Sequence, residues 1–417
     1  MHVAVLGAGV IGTTTAWYLR EAGYDVTVVE RRGGPGEETS FANGGQVSVS
    51  HAEPWASPGA PAQLLRWLFR SDAPLRFRPR LDPHQWAWGL RFLSECRSRR
   101  YARNLETVVR LGLYSRKCLS ELRERTGIEH HQRREGILHF YTDPDVYAAA
   151  HGPAARMRAL GCERDVIDVA DAVAREPALG TLQPELRGAT WTPGDESGDA
   201  HVFTRQLAGM AGAAGVRFLF NSRVMGLETE GGAVRRVRLN QAGAFTHLEA
   251  DAVVVALGSF SAPLLRPQGI NLPVYPARGY SVTVPVRDPE QAYTVSLIDD
   301  EYKLVYSRLG DELRVAGMAE IDGWRQDIDP ARCRQILDRL AHCFPKAGHW
   351  DQARFWAGLR PATPSSVPFV GATPWPGLYL NTGHGTLGWT NACGSAALLS
   401  ERIAGEMGPL DLDYHGR

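Results

Sequence analysis

The sequence has little cysteine for its length. Cys96, Cys118, Cys162, Cys333, Cys343 and Cys393 are scattered over 417 residues with no Cys-x-x-Cys spacing. That argues against a zinc ribbon or a thioredoxin-like centre and fits a reducing compartment better than a disulfide scaffold. Neither charge is in excess, since 46 Lys and Arg face 46 Asp and Glu. A nucleic-acid partner is therefore not expected, because such proteins are usually basic overall. Nor is there an apolar run of the roughly eighteen residues needed to span a bilayer. Repeats and low-complexity tracts are missing too. The N-terminus already reads as a strand, so no cleavable leader is expected. The expectation is a cytoplasmic protein, soluble or peripheral on the inner face of the cytoplasmic membrane.

What is present begins at the N-terminus. Met1–Leu6 reads as a buried strand and breaks at Gly7-Ala8-Gly9-Val10-Ile11-Gly12. A helical stretch, Thr13–Ala22, follows and stops at Gly23; a second strand, Asp25–Val29, ends at Glu30. Strand, Gly-x-Gly-x-x-Gly, helix, strand and acid together form a dinucleotide-binding fingerprint. Gly7 allows the tight turn, Gly9 lets backbone approach a pyrophosphate, and Gly12 lets helix and strand pack closely. The helix N-terminus offers free N–H groups to phosphate. Glu30 can accept hydrogen bonds from a ribose.

Glu38–Val47 is small, polar and glycine-bearing, and reads either as a plain loop or as backbone lying against a second part of the cofactor. Between Ala60 and Arg100 stand nine arginines and three acids, with Trp67, Trp86 and Trp88 among prolines and Trp55 just before. One reading is a helical excursion packed on its own protein with solvated arginines. The other is an interfacial segment contacting anionic lipid. Tyr101–Gly127 reads as a long helix. Asp195, Glu196 and Asp199 share one turn, which reads as a solvated loop because nothing nearby completes a metal set. Asp251–Gly258 is a continuous apolar strand, as in a parallel sheet. From Pro273 the pattern becomes β-rich, with Tyr280–Val286, Tyr293–Leu297, Lys303–Arg308 and Leu313–Met318, then a helix over Pro330–His342. A final helix is read over Thr390–Ala404.

Two C-terminal stretches, Trp356–Pro364 (WAGLRPATP) and Thr382–Trp389 (TGHGTLGW), resemble the closing motifs of the D-amino-acid-oxidase-type FAD oxidoreductases. With Gly7–Glu30, Glu38–Val47 and Asp251–Gly258, the resemblance runs from end to end. Within that superfamily the sequence is similar to the bacterial D-amino acid dehydrogenases (small subunit), through Ala42–Gln46, Pro54–Ala56, Asp195–Asp199, Pro276–Ser281, Glu301–Lys303 and Gly317–Glu320. The resemblance implies an α/β fold, with a doubly wound, Rossmann-like FAD-binding domain and a second, β-sheet-rich substrate domain. The expected segments are 1–85, 189–272 and 356–417 for FAD, and 86–188 and 273–355 for substrate. It implies noncovalent FAD. Gly7, Gly9, Val10, Ile11, Gly12, Glu30 and Arg31 would hold the ADP half, with Val224 at the adenine. Ser40, Asn43, Gly44 and Gln46 would lie along the ribityl chain and ring, with Ala256, Gly258 and Gly358 nearby. Gly383, His384, Gly385, Thr386, Leu387 and Gly388 would put N–H groups near the flavin N1–C2=O edge, where charge gathers on reduction.

The same resemblance implies oxidative deamination of D-amino acids, with electrons passed to a quinone or another non-oxygen acceptor. Arg360 is the expected carboxylate clamp, since a guanidinium fork grips a carboxylate in two places; a structural ion pair is the other reading. Tyr280 and Tyr302 can supply hydroxyls to the substrate or serve as sheet aromatics. His384, between glycines, reads as positional, and no general base is nominated, since an amine arriving neutral needs none. Some glycine-oxidase-like relatives carry an arginine matching Thr386-Leu387, and its absence here weakens that assignment. A glycine, sarcosine or proline-derivative enzyme and a noncatalytic flavin-binding subunit stay open.

Overall fold

The computed structural model describes residues 1–67, 73–406 and 408–412. Its first body is built on a six-stranded sheet in the order Phe369–Ala372, Leu378–Thr382, Ala252–Val255, His2–Leu6, Asp25–Val29, Arg217–Leu219. All neighbours run parallel except the edge pair Phe369–Ala372 with Leu378–Thr382. The central strands are apolar on both sides because both sides are covered. Val3, Val5, Val26, Val28 and Val254 meet helices Val10–Glu21, Ser98–Thr126, Ala200–Ala213 and Gly388–Ile403 through Ala16, Leu19, Leu111, Ala211, Leu398 and Leu399. Ala4, Leu6, Val29, Val253 and Val255 meet an antiparallel meander of Ser222–Glu230, Ala233–Gln241 and Ala244–Glu249.

The second body is a nine-stranded, mostly antiparallel sheet. Along its main path the order is Arg354–Ala362, Tyr275–Pro285, Glu312–Ile321, Leu304–Leu309, Ser296–Asp299, Ile137–Tyr141, Gly188–Thr192, Asp165–Ile167, and Leu75–Phe77 also pairs with Glu312–Ile321. Helix Pro330–Cys343 closes one face with Cys333, Ile336, Leu337 and Leu340. The sheets divide the chain differently from the expected segments, since Leu75–Phe77 and nearly all of Gly188–Thr192, expected with FAD, also pair into this second sheet. Arg354–Ala362 pairs along its length with Tyr275–Pro285 and so belongs to this sheet. Ser98–Thr126 belongs with the first body, because Leu111, Cys118, Leu119 and Leu122 lie in its core clusters.

The arginine-rich excursion forms helix Ala60–Trp67, strand Leu75–Phe77 and helix Pro83–Glu95. Leu68, Phe69, Arg70 and Asp72 lie outside the described residues. It is packed on its own protein, but its arginines are less solvated than expected. Arg76 and Arg78 reach the buried Glu320, Arg80 pairs with the buried Asp322, and Arg100 pairs with Glu95. The Asp195 turn is also corrected. Asp195 is buried and accepts from the backbone N–H groups of Val49 (3.0 Å) and Ser50 (3.0 Å). Glu196 pairs with Arg123 at 3.0 Å, and Asp199 caps helix Ala200–Ala213. These acids shape the loop after Gln46 from beneath.

Candidate active site

A cavity of about 940 Å³ runs between the two bodies, at the upper end for ligand pockets. At one end lies the glycine turn. Gly7 has φ +106°, and a Cβ there would stand 2.6 Å from the Ala256 carbonyl oxygen. A Cβ on Gly12 would stand 1.9 Å from the Gly7 oxygen, so only glycine lets the helix sit this close. Gly9 opens toward the cavity, its nearest neighbour being Ser40 Oγ. The helix starts at Val10, earlier than the sequence suggests, and its first N–H donates to Ser40 Oγ at 3.0 Å. The Glu30 carboxylate accepts from Ala8 N (2.9 Å) and Arg32 N (2.8 Å), which fixes it at the strand end. Arg31 stacks on Phe260 at 4.0 Å and pairs with Glu38 at 2.6 Å, beside Val224 and Leu264.

Toward the second sheet, Asn43, Gly44 and Gln46 line the cavity with Ala256, Gly258 and Gly358. A Cβ on Gly44 would meet Val305 at 2.4 Å, so the loop lies flat on the sheet. Gln46 donates to the Leu297 and Tyr306 carbonyls at 3.0 and 3.3 Å. Helix Gly388–Ile403 begins at the cavity with no side-chain cap, so its positive end is open to an electron-rich group there. His384, Gly385, Thr386, Leu387 and Gly388 line the same wall. Among the expected cofactor residues, Gly12 and Gly383 do not line the cavity: Gly12 packs beneath the turn, and Gly383 (φ +84°) turns the chain against Thr363. The uncapped helix ends, the side-chain-free floor at Gly9 and Gly44, and the fixed Glu30 carboxylate fit an elongated dinucleotide with a flat ring system. Among the described residues no cysteine lines the cavity.

Arg360 lies across the second sheet. A Cβ on Gly279 would stand 2.2 Å from its Cζ, so the missing side chain is what lets the guanidinium cross that strand. Nη1 donates to the Met318 carbonyl at 2.5 Å and Nη2 to that of Gly317 at 3.2 Å. The pairing slips between Arg278 and Tyr280, and Met318 takes φ +53°, so the kinked strand supports these contacts. Among the described residues Arg360 has no carboxylate partner, and burial alone pulls its pKa down to about 10. It lines the cavity. A part-buried cation held by two carbonyl oxygens and facing a chamber can take a carboxylate there, and no ion pair within the described residues occupies it.

Tyr280 lines the chamber, but its hydroxyl donates to Glu320 at 2.9 Å. Tyr302 does not line it. Asp299 accepts from Tyr302 N (3.1 Å) and holds Arg339 (2.8 Å), and Arg339 stacks on the Tyr302 ring at 4.1 Å, leaving that side chain half-exposed. The cavity also gathers residues to which the sequence reading gave no role: Ser50, His51, His139, Tyr141, Arg164, Asp300 and Lys303. They come from separate elements, and no local motif joins them. His139 Nδ1 lies 3.0 Å from Asp300 and its Nε2 3.0 Å from Ser50 Oγ. Burial and Arg164 pull His139 down to about 3, so it is neutral. Burial would raise Asp300, yet the hydrogen bond with the neutral His139 and the Lys303 and Arg164 cations hold it well below the usual carboxylate range.

The comparisons with known proteins agree with this geometry. The FAD dependent oxidoreductase family matches residues 2–402. The chain belongs to that family. It is 52% identical to a D-amino acid dehydrogenase of Dechloromonas aromatica (strain RCB), over 97% of each chain. It is 50% identical to a D-amino acid dehydrogenase of Paramagnetospirillum magneticum, over 100% of this chain and 98% of the relative. Among solved structures, glycine oxidase from Geobacillus kaustophilus superposes with a TM-score of 0.76 at 22% identity, covering 98% of this chain and 96% of that one. L-proline dehydrogenase from P. horikoshii gives 0.74 at 18%, covering 99% and 95%. At these identities the structures share the fold. FAD is thus the family's cofactor.

Proposed function

We propose that this FAD-dependent oxidoreductase oxidises D-amino acids to imino acids, which water converts to 2-oxo acids and ammonia. Bound FAD supplies a two-electron acceptor for the Cα hydrogen. The chain's residues do the rest. Arg360 holds the α-carboxylate, and the Met318 and Gly317 carbonyls hold Arg360. Tyr280 closes the chamber, its hydroxyl anchored on Glu320. The loop Asn43–Gln46 and the start of helix Gly388–Ile403 flank the ring system, and Glu30 and the Gly7–Gly12 turn hold the nucleotide end. The observation that carries this reading is the carboxylate-free Arg360 in the cavity. The names of the full-length relatives point to the D series.

The electron acceptor is proposed as a quinone at the membrane. Leu65, Leu81, Trp86, Leu90 and Leu93 are exposed on and beside helices Ala60–Trp67 and Pro83–Glu95. The inner sides of those helices line the cavity through Ala60, Gln63, Leu64 and Phe92. An apolar surface at the cavity mouth suits a lipid-borne acceptor. Among the described residues no helix is long and apolar enough to cross a membrane.

The deciding test is anaerobic absorbance of the yellow protein mixed with D- and L-amino acids, glycine, sarcosine and D-proline. Bleaching by several D-amino acids and not by their L-enantiomers is expected. Bleaching by glycine, sarcosine or a proline derivative alone moves the assignment to that neighbouring chemistry. No bleaching by any of them leaves a flavin-binding subunit.

A further inference from the structure

The substrate arrives as an ammonium ion, and its nitrogen must shed a proton before its lone pair can assist loss of the Cα hydrogen. Most polar groups of the chamber are already engaged. His139 is held between Asp300 and Ser50, Tyr280 donates to Glu320, and the Lys303 ammonium and the Arg164 guanidinium have no lone pair to offer. His51 differs. It lines the cavity, its ring centroid is 6.0 Å from that of His139, and neither of its ring nitrogens has a hydrogen-bond partner among the described residues. His384 is the other open imidazole, with Nε2 buried and unpartnered. The two are told apart by place: His51 stands beside the His139–Asp300–Ser50 cluster of the chamber, whereas His384 sits in the glycine-bearing loop that leads into helix Gly388–Ile403.

We propose that His51 is the base that takes the proton from the substrate's ammonium group, an inference that rests on the D-amino acid reading. The ammonium N–H bond breaks and the proton goes to an open ring nitrogen. The Cα–H bond then breaks with its electron pair passing to the flavin, and the nitrogen lone pair forms the C=N bond. The amino acid loses two electrons and the flavin gains them. The groups facing His51 are Asp300, which favours its protonation, and Lys303, Arg164 and Arg360, which oppose it, with His139 neutral behind and Glu53 two residues on. Burial first, then these cations, lower the ring to about 4, so its lone pair is free at working pH but it is a weak proton acceptor while the chamber is empty. A substrate carboxylate on Arg360 cancels one of the opposing cations, so the base strengthens when the substrate is seated.

The experiment is anaerobic stopped-flow reduction of the holoenzyme's flavin by D-alanine across pH, with His51→Phe, His51→Asn and His384→Asn. At neutral pH both His51 variants should reduce about a hundredfold more slowly. At alkaline pH, where the amine arrives neutral, their rates should converge on the unsubstituted enzyme's, while the half-saturating D-alanine concentration changes little. Convergence separates a lost base from a damaged fold. A His51 profile parallel to the unsubstituted one at all pH, or the same alkaline convergence for His384→Asn with His51 variants unaffected, overturns the proposal. If the unsubstituted enzyme is not reduced by D-alanine or any other D-amino acid, the functional reading fails and this inference with it.

Discussion

Arg360 works because its neighbour across the strand has no side chain. Gly279→Ala would put a methyl group 2.2 Å from Arg360 Cζ, in a strand that cannot yield without losing its pairing on both sides. The guanidinium must leave its two carbonyl acceptors. A charge-assisted contact of about 1.5–3 kcal/mol is then lost, so the half-saturating D-amino acid concentration should rise about ten- to a hundredfold. Arg360→Met should do the same by direct removal. The double variant should bind substrate no worse than Arg360→Met alone and melt at a temperature close to it, because the methyl group then has nothing to displace. Additive losses in the double variant would show that Gly279 acts on something other than the clamp. The Arg-Pro motif made Arg360 visible in the sequence. Gly279 was not visible as its partner, since the two lie 81 positions apart and meet only when Tyr275–Pro285 pairs with Arg354–Ala362.

The same distinction between local and distant signals holds for whole elements. The Gly7–Gly12 turn, strand Asp25–Val29 and helix Pro330–Cys343 were legible because their signals, glycine spacing, apolar runs and Asp329-Pro330 capping, act over a few residues. The arginine-rich excursion was only half legible. Its amphipathic helices could be read locally, but Arg80 meets Asp322 across 242 positions, so the basic stripe looked freer than it is. With Arg76, Arg78, Arg80 and Arg100 paired internally, what remains outward is an apolar patch with the exposed Arg66, Arg91, Arg97 and Arg99 around it. Such a surface should bind vesicles containing anionic lipid, more weakly as salt rises. Leu90→Glu with Leu93→Glu, both on exposed positions, should lower co-sedimentation about tenfold and leave flavin reduction by D-amino acids unchanged. Equal sedimentation of the variant and unsubstituted proteins would remove the membrane from the reading.

At the scale of the molecule, the chamber is held together by histidines kept uncharged. Burial pulls His51 and His130 down to about 4 and His139 and His384 to about 3. In the unfolded chain each returns to about 6.5. As pH falls below about 6.5 the unfolded chain therefore takes up protons that the folded one refuses, and stability is lost with acid until the folded values are reached. The contribution is fully present above about 6.5 and falls by up to about 1.4 kcal/mol per pH unit for each such group. The effect is global because these side chains sit at the junctions: His139 joins the second sheet to the Ser50 loop, and His130 packs on Phe203 and Trp389 of two first-body helices. Denaturant unfolding of the holoenzyme at fixed FAD, run at neutral pH and about one and a half units below the unfolded histidine value, should show a clear fall in the midpoint. His130→Phe, which keeps the ring contacts at a position that does not itself line the cavity, should be less acid-sensitive than the unsubstituted protein even if it is less stable at neutral pH. An acid slope that is the same with and without His130 would mean that the loss arises in the carboxylates instead. The Asp300 and Glu320 ion pairs would then be the groups to test, since both acids are held below their usual range and would lose their partners only at lower pH.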